Sequence, residues 1–187
     1  EYARKAKEQG CGAFDLINAD VQKTPIGANR LIYLPYLNGE RTPHVDPNCR
    51  GVFFGLSSMH TTADMARAVM EGIQYSLTDC KEMGIEVSEM MACGGGAKNA
   101  VQRQMMADMF GCDVKTVTAT EGPALGVAIL AGVGAGLYES VESACRQMIH
   151  TDPAKECHAD PKATAEYDKY HQIYKNLYTC LKDQFQE

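Results

Sequence analysis

The chain has 187 residues, enough for one domain with a sizeable core, and its 45% hydrophobic and 22% charged residues are ordinary for a soluble globular protein. A formal net charge of −6 argues against a nucleic-acid or anionic-membrane surface, and no apolar run approaches the length of a membrane span. The eight cysteines are scattered with no C-x-x-C pair and no metal-ligand spacing, which reads as reduced thiols in a cytoplasmic protein, without a disulfide framework or a zinc site.

The first residues, EYARKAKEQG, lack a methionine and already follow a helical pattern, as the later part of a longer protein would. Residues 1–9 and 13–23 read as short helices separated by Gly10-Cys11-Gly12. LIYLPYL (31–37) is a short strand that Pro35 ends. NGERTPHVDPNCRG (38–51), rich in proline, glycine and charge, must be a long loop, and long loops inside compact domains are often functional. GVFFGL (51–56) is a second strand, with an edge expected to stay unpaired. Thr61 and Asp64 form a capping box that opens a helix running to about Met83 and stopping at Gly84.

EMMAC (89–93) is the next strand, followed by Gly94, Gly95 and Gly96 in a turn, a helix marked by Val101, Met105, Met109 and Phe110, and the strand DVKTV (113–117). Pro123 fits the first position of a helix over 123–136, with Glu121 at its positive end and Gly126, Ala128, Gly132 and Ala135 suited to close packing. A helix near 140–149, a polar linker and a last helix over 163–184 complete the chain, the last with Tyr167, Tyr170, Tyr174, Leu177 and Leu181 on one face. The methionines at 105, 106 and 109 and this tyrosine stripe read as core. Strand and helix alternate from the second strand onward, the order of an α/β fold with a parallel portion.

Three consecutive glycines between a strand and a helix have two readings. The turn is simply tight, or a ligand approaches the bare backbone at the carboxyl edge of the sheet, where α/β proteins bind ligands and a helix N-terminus favours an anion. The G-x-G-x-x-G spacing of a dinucleotide-binding fold is absent.

Four ordered blocks carry a resemblance over nearly the whole chain: LPYLNGERTPHVDPNCRGVFFGL, RAVMEGIQYSL, GGGAKN with QMMADMFG, and EGPALGVAILAG. The stretch from Gly51, Phe53, Gly55 and Leu56 to Asp64, Met65, Ala68, Val69, Met70 and Glu71 resembles the second signature of the FGGY carbohydrate kinases. That family has two actin-like lobes on ribonuclease-H-like sheets, with sugar and ATP meeting between them. The resemblance implies that residues 1–187 are a C-terminal nucleotide-binding lobe truncated at its N-terminal side. Within it, 1–30 would be a helical lead-in, 31–136 the sheet-and-helix core and 137–187 the C-terminal helices.

PYLNGERTPH is most similar to the xylulokinase branch, with His44 as its marker, which implies transfer of the γ-phosphate of ATP to a hydroxyl of D-xylulose. Other FGGY kinases (gluconate, L-ribulose or glycerol) and a non-catalytic actin-like regulatory module are the alternatives. Glu40 and Arg41 are either an exposed ion pair or an internal pair that fixes the loop.

By the same resemblance the glycine turn is the adenosine motif. Gly95 and Gly96 would give close backbone approach, Ala97 would keep the surface low, and Asn99 would offer an amide to ribose or base, with Lys98 exposed to solvent. The implied cofactors are ATP and Mg2+. The implied partners are the protein's own N-terminal sugar-binding lobe, the sugar and the nucleotide, with a homodimer as a further expectation. The family's catalytic aspartate lies in the other lobe. Asp46, Asp64 and Glu71 do not match it, and no catalytic or metal-binding residue is assigned in this chain.

Overall fold

The computed structural model describes residues 2–81, 83–118 and 122–186. Helices α1 (Tyr2–Gln9) and α2 (Ala13–Lys23) lead into strands β1 (Ile32–Leu34) and β2 (Val52–Phe54), then α3 (Thr62–Lys81) and β3 (Glu89–Ala92). The short α4 (Gly94–Lys98) precedes α5 (Ala100–Phe110), β4 (Asp113–Thr116), α6 (Gly122–Gly134), α7 (Val141–Met148) and α8 (Pro161–Leu181). Glu121, expected to support the start of α6, lies outside the described residues.

The strands divide. β1 and β2 pair antiparallel, Ile32 with Phe54 through Leu34 with Val52. β3 and β4 pair in parallel, Glu89 with Asp113 through Ala92 with Thr116. Among the described residues these are two separate two-stranded sheets, and β2 pairs with β1 alone. The parallel pair is the predicted α/β portion, and its carboxyl ends deliver the chain to α4 and to the start of α6.

Local chemistry sets most of the helix ends. At α3 the capping box closes reciprocally: the Thr61 backbone N–H donates to Asp64 Oδ2 at 2.7 Å, and the Asp64 N–H donates to Thr61 Oγ1 at 3.4 Å. Ser140 and Asp160 cap α7 and α8 through their side-chain oxygens. Helix α3 lies directly on β1, since a Cβ added to Gly72 would stand 2.2 Å from the Tyr33 carbonyl oxygen. The main core gathers Ile32, Leu34 and Tyr36 with Tyr75, Met105, Met109, Tyr167, Tyr174 and Leu177. The tyrosine stripe and the methionines at 105 and 109 are therefore core, with the Tyr174 and Tyr36 hydroxyls bonded at 2.7 Å.

A buried ionic network fastens α3 to its neighbours. The Arg67 Nε donates to Glu71 Oε1 at 2.6 Å, its Nη1 to the Val21 and Thr24 carbonyls, and its Nη2 to the Tyr167 hydroxyl. The Gly27 N–H also donates to Glu71, at 3.1 Å. Burial, the dominant influence, pushes the Glu71 carboxyl up to about 7 against the opposing pull of Arg67.

The loop over 38–51 is shaped by Glu40, though not through an ion pair with Arg41. Glu40 Oε1 accepts the backbone N–H groups of Arg41 and Thr42, and its main chain pairs with Asp46. For adjacent residues the backbone N–H is within easier reach than the guanidinium. Asp46 then receives the Tyr178 hydroxyl and the N–H groups of Asn48 and Cys49, and these bonds hold its carboxyl below the usual range despite the opposing effect of burial. His44 stacks on Tyr178 with ring centroids 3.6 Å apart, so it clamps the loop to α8 instead of standing free at the surface.

Two expectations change. The glycines are not only a turn, since Gly94–Lys98 is a short helix interrupted before α5. Helix α6 is not tightly enclosed: it buries only Ile129 and Gly132, while Gly126, Ala128 and Ala135 are exposed.

Candidate functional site

β3 ends at Ala92, and the chain changes direction at Gly94, whose φ of +79° lies in the left-handed region that favours glycine. Gly95 and Gly96 then follow within the helical turn of α4, with no positive φ. A Cβ built on Gly95 would meet nothing within 4 Å, and one on Gly96 would meet only the Gln102 carboxamide at an ordinary 3.5 Å. Backbone geometry thus accounts for Gly94. Neither backbone strain nor protein packing accounts for the other two.

The space above them is a cleft of about 510 Å³, lined on one side by Phe14, Asp15 and Asn18 of α2 and on the other by Gly95, Gly96, Lys98, Asn99 and Gln102. That volume is in the range of small-molecule sites. Asn99 sets the wall. Its Oδ1 accepts the Val101 N–H at 3.0 Å and the Gln102 N–H at 3.4 Å, capping α5, while its Nδ2 donates to Asn18 Oδ1 at 2.8 Å. The amide expected to face a ligand is thus mostly engaged in tying α5 to α2, with one N–H left over. Ala97 points inward and is buried with Ala92, Ala107 and Val114, so it seats the turn on the sheet and does not form the cleft floor. The structure therefore brings Gly95, Gly96 and Asn99 to one cleft and places Ala97 behind it.

A second cleft of about 270 Å³ lies at the carboxyl ends of β3 and β4, lined by Cys93, Gly94, Lys98, Thr116, Thr118 and Lys155 among others. The Thr116 Oγ1 is buried there without a hydrogen-bond partner among the described residues. Lysines and hydroxyls at strand carboxyl ends can receive an anion. The exposed Lys98 lines both clefts.

The carboxylates set aside in the sequence all have structural work. Asp64 caps α3, Glu71 pairs with Arg67, and Asp46 orders the loop. Asp15, beside the cleft, accepts the Gly12 N–H at 3.1 Å. One grouping escaped sequence reading. The bridge between Val114 and Cys157 brings together Asp113, Glu156 and His158, whose ligand atoms lie within 4.8 Å of one another. His158 bonds Asp113 at 2.9 Å, and Lys115 pairs with Glu89 and, at 4.0 Å, with Glu156, so this partly exposed set is occupied with its own ion pairs.

Four cleft residues were not legible in the sequence: Phe14, Asp15, Asn18 and Gln102. Phe14 is spaced with Ile17 and Val21 as a core residue would be, yet it is 78% exposed while Val21 is fully buried. Asn18 and Gln102 reach the cleft only because α2 and α5 meet there.

Comparison with known proteins adds the following. Residues 1–135 match the model of the FGGY family of carbohydrate kinases, C-terminal domain. A xylulose kinase of Staphylococcus epidermidis is 42% identical over 161 residues, covering 84% of this chain and 32% of that protein. Among solved structures, ligand-bound xylulose kinase from Lactobacillus acidophilus superposes with a TM-score of 0.83 at 30% identity, over 98% of this chain and 38% of that one. Gluconate kinase from Lactobacillus acidophilus gives 0.80 at 33% identity, over 91% and 35%. The chain spans about a third of the length of the curated relatives it matches. The fold is that of the C-terminal lobe of these actin-like kinases. No helix among the described residues is long and apolar enough to cross a membrane.

Proposed function

Since the chain belongs to the FGGY family of carbohydrate kinases, we propose that it is the nucleotide-binding lobe of a cytoplasmic kinase that transfers the γ-phosphate of ATP to a hydroxyl of D-xylulose. The observation that carries this reading is the open cleft over Gly95 and Gly96, where missing side chains leave room that neither backbone strain nor packing demands. A nucleoside lies against those two residues, with the remaining N–H of Asn99 at the cleft wall and Ala97 seating the turn from behind. Lys98 and the strand-end cleft lie where the phosphates leave the nucleoside.

Phosphoryl transfer of this kind is mostly positioning and charge stabilisation. This lobe contributes position. The proton of the attacking hydroxyl needs a carboxylate acceptor, and every acidic group discussed above is committed elsewhere. By the family resemblance, the catalytic carboxylate and the sugar site are assigned to a companion N-terminal lobe. Among the described residues Asp15 is the carboxylate at this cleft, and its Oδ2 accepts the Gly12 N–H; the family resemblance assigns Mg2+ to the phosphates and to that companion lobe. The similar gluconate kinase keeps D-gluconate as the alternative substrate.

The test is ADP affinity of the full-length Gly96→Val protein by calorimetry, with its melting temperature. The ordinary backbone at Gly96 allows the variant to fold, so the expected result is affinity weakened at least tenfold, about 1.4 kcal/mol, with melting retained. Unchanged affinity in a folded variant would mean that the glycines only shape the chain. In the same series, kcat/KM for D-xylulose should exceed that for gluconate, glycerol and L-ribulose. A reversed order retires the sugar assignment and leaves the nucleotide site standing.

A further inference from the structure

Phe14 is a large apolar ring, 78% exposed, at the start of α2. Such exposure contributes little to folding, and the residue instead lines the cleft opposite two glycines whose backbone is bare. Gln102 lines the same cleft with its carboxamide beside Gly96, and no described residue hydrogen-bonds that carboxamide. Asn18 completes the wall, with its Oδ1 taken by Asn99 and its own amide N–H groups left as donors. An aromatic face, a flat main-chain surface and an unpaired donor–acceptor group thus converge on one gap.

We propose that Phe14 and Gln102 are the base-recognition residues of this cleft: the purine stacks between the Phe14 ring and the Gly95–Gly96 backbone, and the Gln102 carboxamide reads its adenine edge. This rests on the reading of the cleft as a nucleotide site. Stacking suits a ring that gains nothing from solvent, and every base has a π-face to offer. Adenine presents an amino donor next to a ring-nitrogen acceptor, which a carboxamide matches with its carbonyl and its N–H₂ together. A carboxylate at the same place accepts only. Gln102→Glu therefore disfavours the ring-nitrogen acceptor of adenine and suits the N–H donors of guanine. Phe14 sets affinity and Gln102 sets the choice of base.

The experiment compares ADP, GDP and inorganic pyrophosphate on the intact wild-type protein and on Phe14→Ala, Phe14→Trp and Gln102→Glu. Calorimetry should show ADP weakened about tenfold or more in Phe14→Ala, as expected for loss of one base stack, with pyrophosphate binding and melting temperature unchanged. Phe14→Trp adds emission at the cleft, read as the difference from the wild-type spectrum, that ADP should quench and pyrophosphate should not. Gln102→Glu should lower the ADP-to-GDP affinity ratio severalfold. If wild type binds no ADP, the nucleotide reading falls and the clamp with it. If wild type binds ADP while Phe14→Ala binds it equally well, or ADP leaves the new tryptophan emission unchanged, the clamp is wrong and the nucleotide site stands. An unchanged base ratio in Gln102→Glu removes Gln102 from the assignment.

Discussion

Helices α3 and α6 treat polarity in opposite ways. α3 buries Asp64, Arg67, Glu71, Gln74, Thr78 and Asp79. α6, with the sequence GPALGVAILAGVG, buries only Ile129 and Gly132 and leaves Val127 and Leu130 more than 60% exposed. Composition alone would have exchanged their places. The difference lies in their neighbours: α3 is surrounded by α2, β1, α5 and α8, while α6 meets chiefly α7. A polar side chain can be enclosed where bonds await it, and an apolar one stays outside where nothing arrives to cover it. On α3 the bonding is incomplete: Glu71 Oε2, Gln74 Oε1, Tyr75 Oη and Asp79 Oδ2 have no hydrogen-bond partner among the described residues, though His44 Nε2 lies 3.8 Å from Asp79 Oδ2.

The contrast breaks most sharply at Arg67. Arg67→Met leaves Glu71 enclosed without its cation, and the expected loss is about 3–5 kcal/mol, read as a lowered denaturant midpoint. Adding Glu71→Leu should restore most of it, since a buried pair replaced by apolar groups is often neutral or better. No restoration would show that Glu71 matters for reasons other than its charge.

A smaller effect follows from titration. The Glu71 carboxyl, pushed up to about 7 by burial, binds its proton more tightly folded than unfolded. Its contribution to stability is therefore fully present below the ordinary glutamate range near pH 4.5 and is lost as pH rises through about 7. Relative to Glu71→Gln, wild type should lose stability over that window with a limiting slope of about 1.4 kcal/mol per pH unit. Parallel stability curves for the two proteins would place the folded-state titration outside it.

The smallest change in stability belongs to α6. Val127→Glu with Leu130→Glu should alter stability by no more than about 0.5 kcal/mol, because neither side chain is enclosed. If the apolar face supports the homodimer considered for this protein, the same pair should lower self-association in light scattering. A large drop in melting temperature would show that α6 is more enclosed than its exposure states.

These contrasts also mark how far the sequence could be read. Thr61 with Asp64, the stripe from Tyr167 to Leu181 and the strand ends at Pro35 and Gly94 were legible because each depends on residues a few positions apart. Helix α4 was not, since consecutive glycines have the poorest helix propensity of any residue but proline, and tertiary seating of Ala97 overrides it. Glu40 was read toward Arg41 when its partners were backbone N–H groups, which leave no mark in composition. Gly95 and Gly96 pointed to the cleft, but its opposite wall, Phe14 and Asn18, lies about eighty residues earlier in the chain. The ring itself carried the spacing of a core residue, and its exposure is visible only in the fold.

Arg67 holds the Val21 and Thr24 carbonyls at the far end of the helix that carries Phe14, Asp15 and Asn18. The Asn18–Asn99 bond fixes the same helix to α5 at the cleft itself. Helix α2 is thus pinned at both points, once by an enclosed cation and once by an amide pair. The gap width is set by the core before any ligand enters. On the proposed reading of the cleft, a nucleotide would meet a slot already ordered, and little of its binding energy would go to arranging the walls.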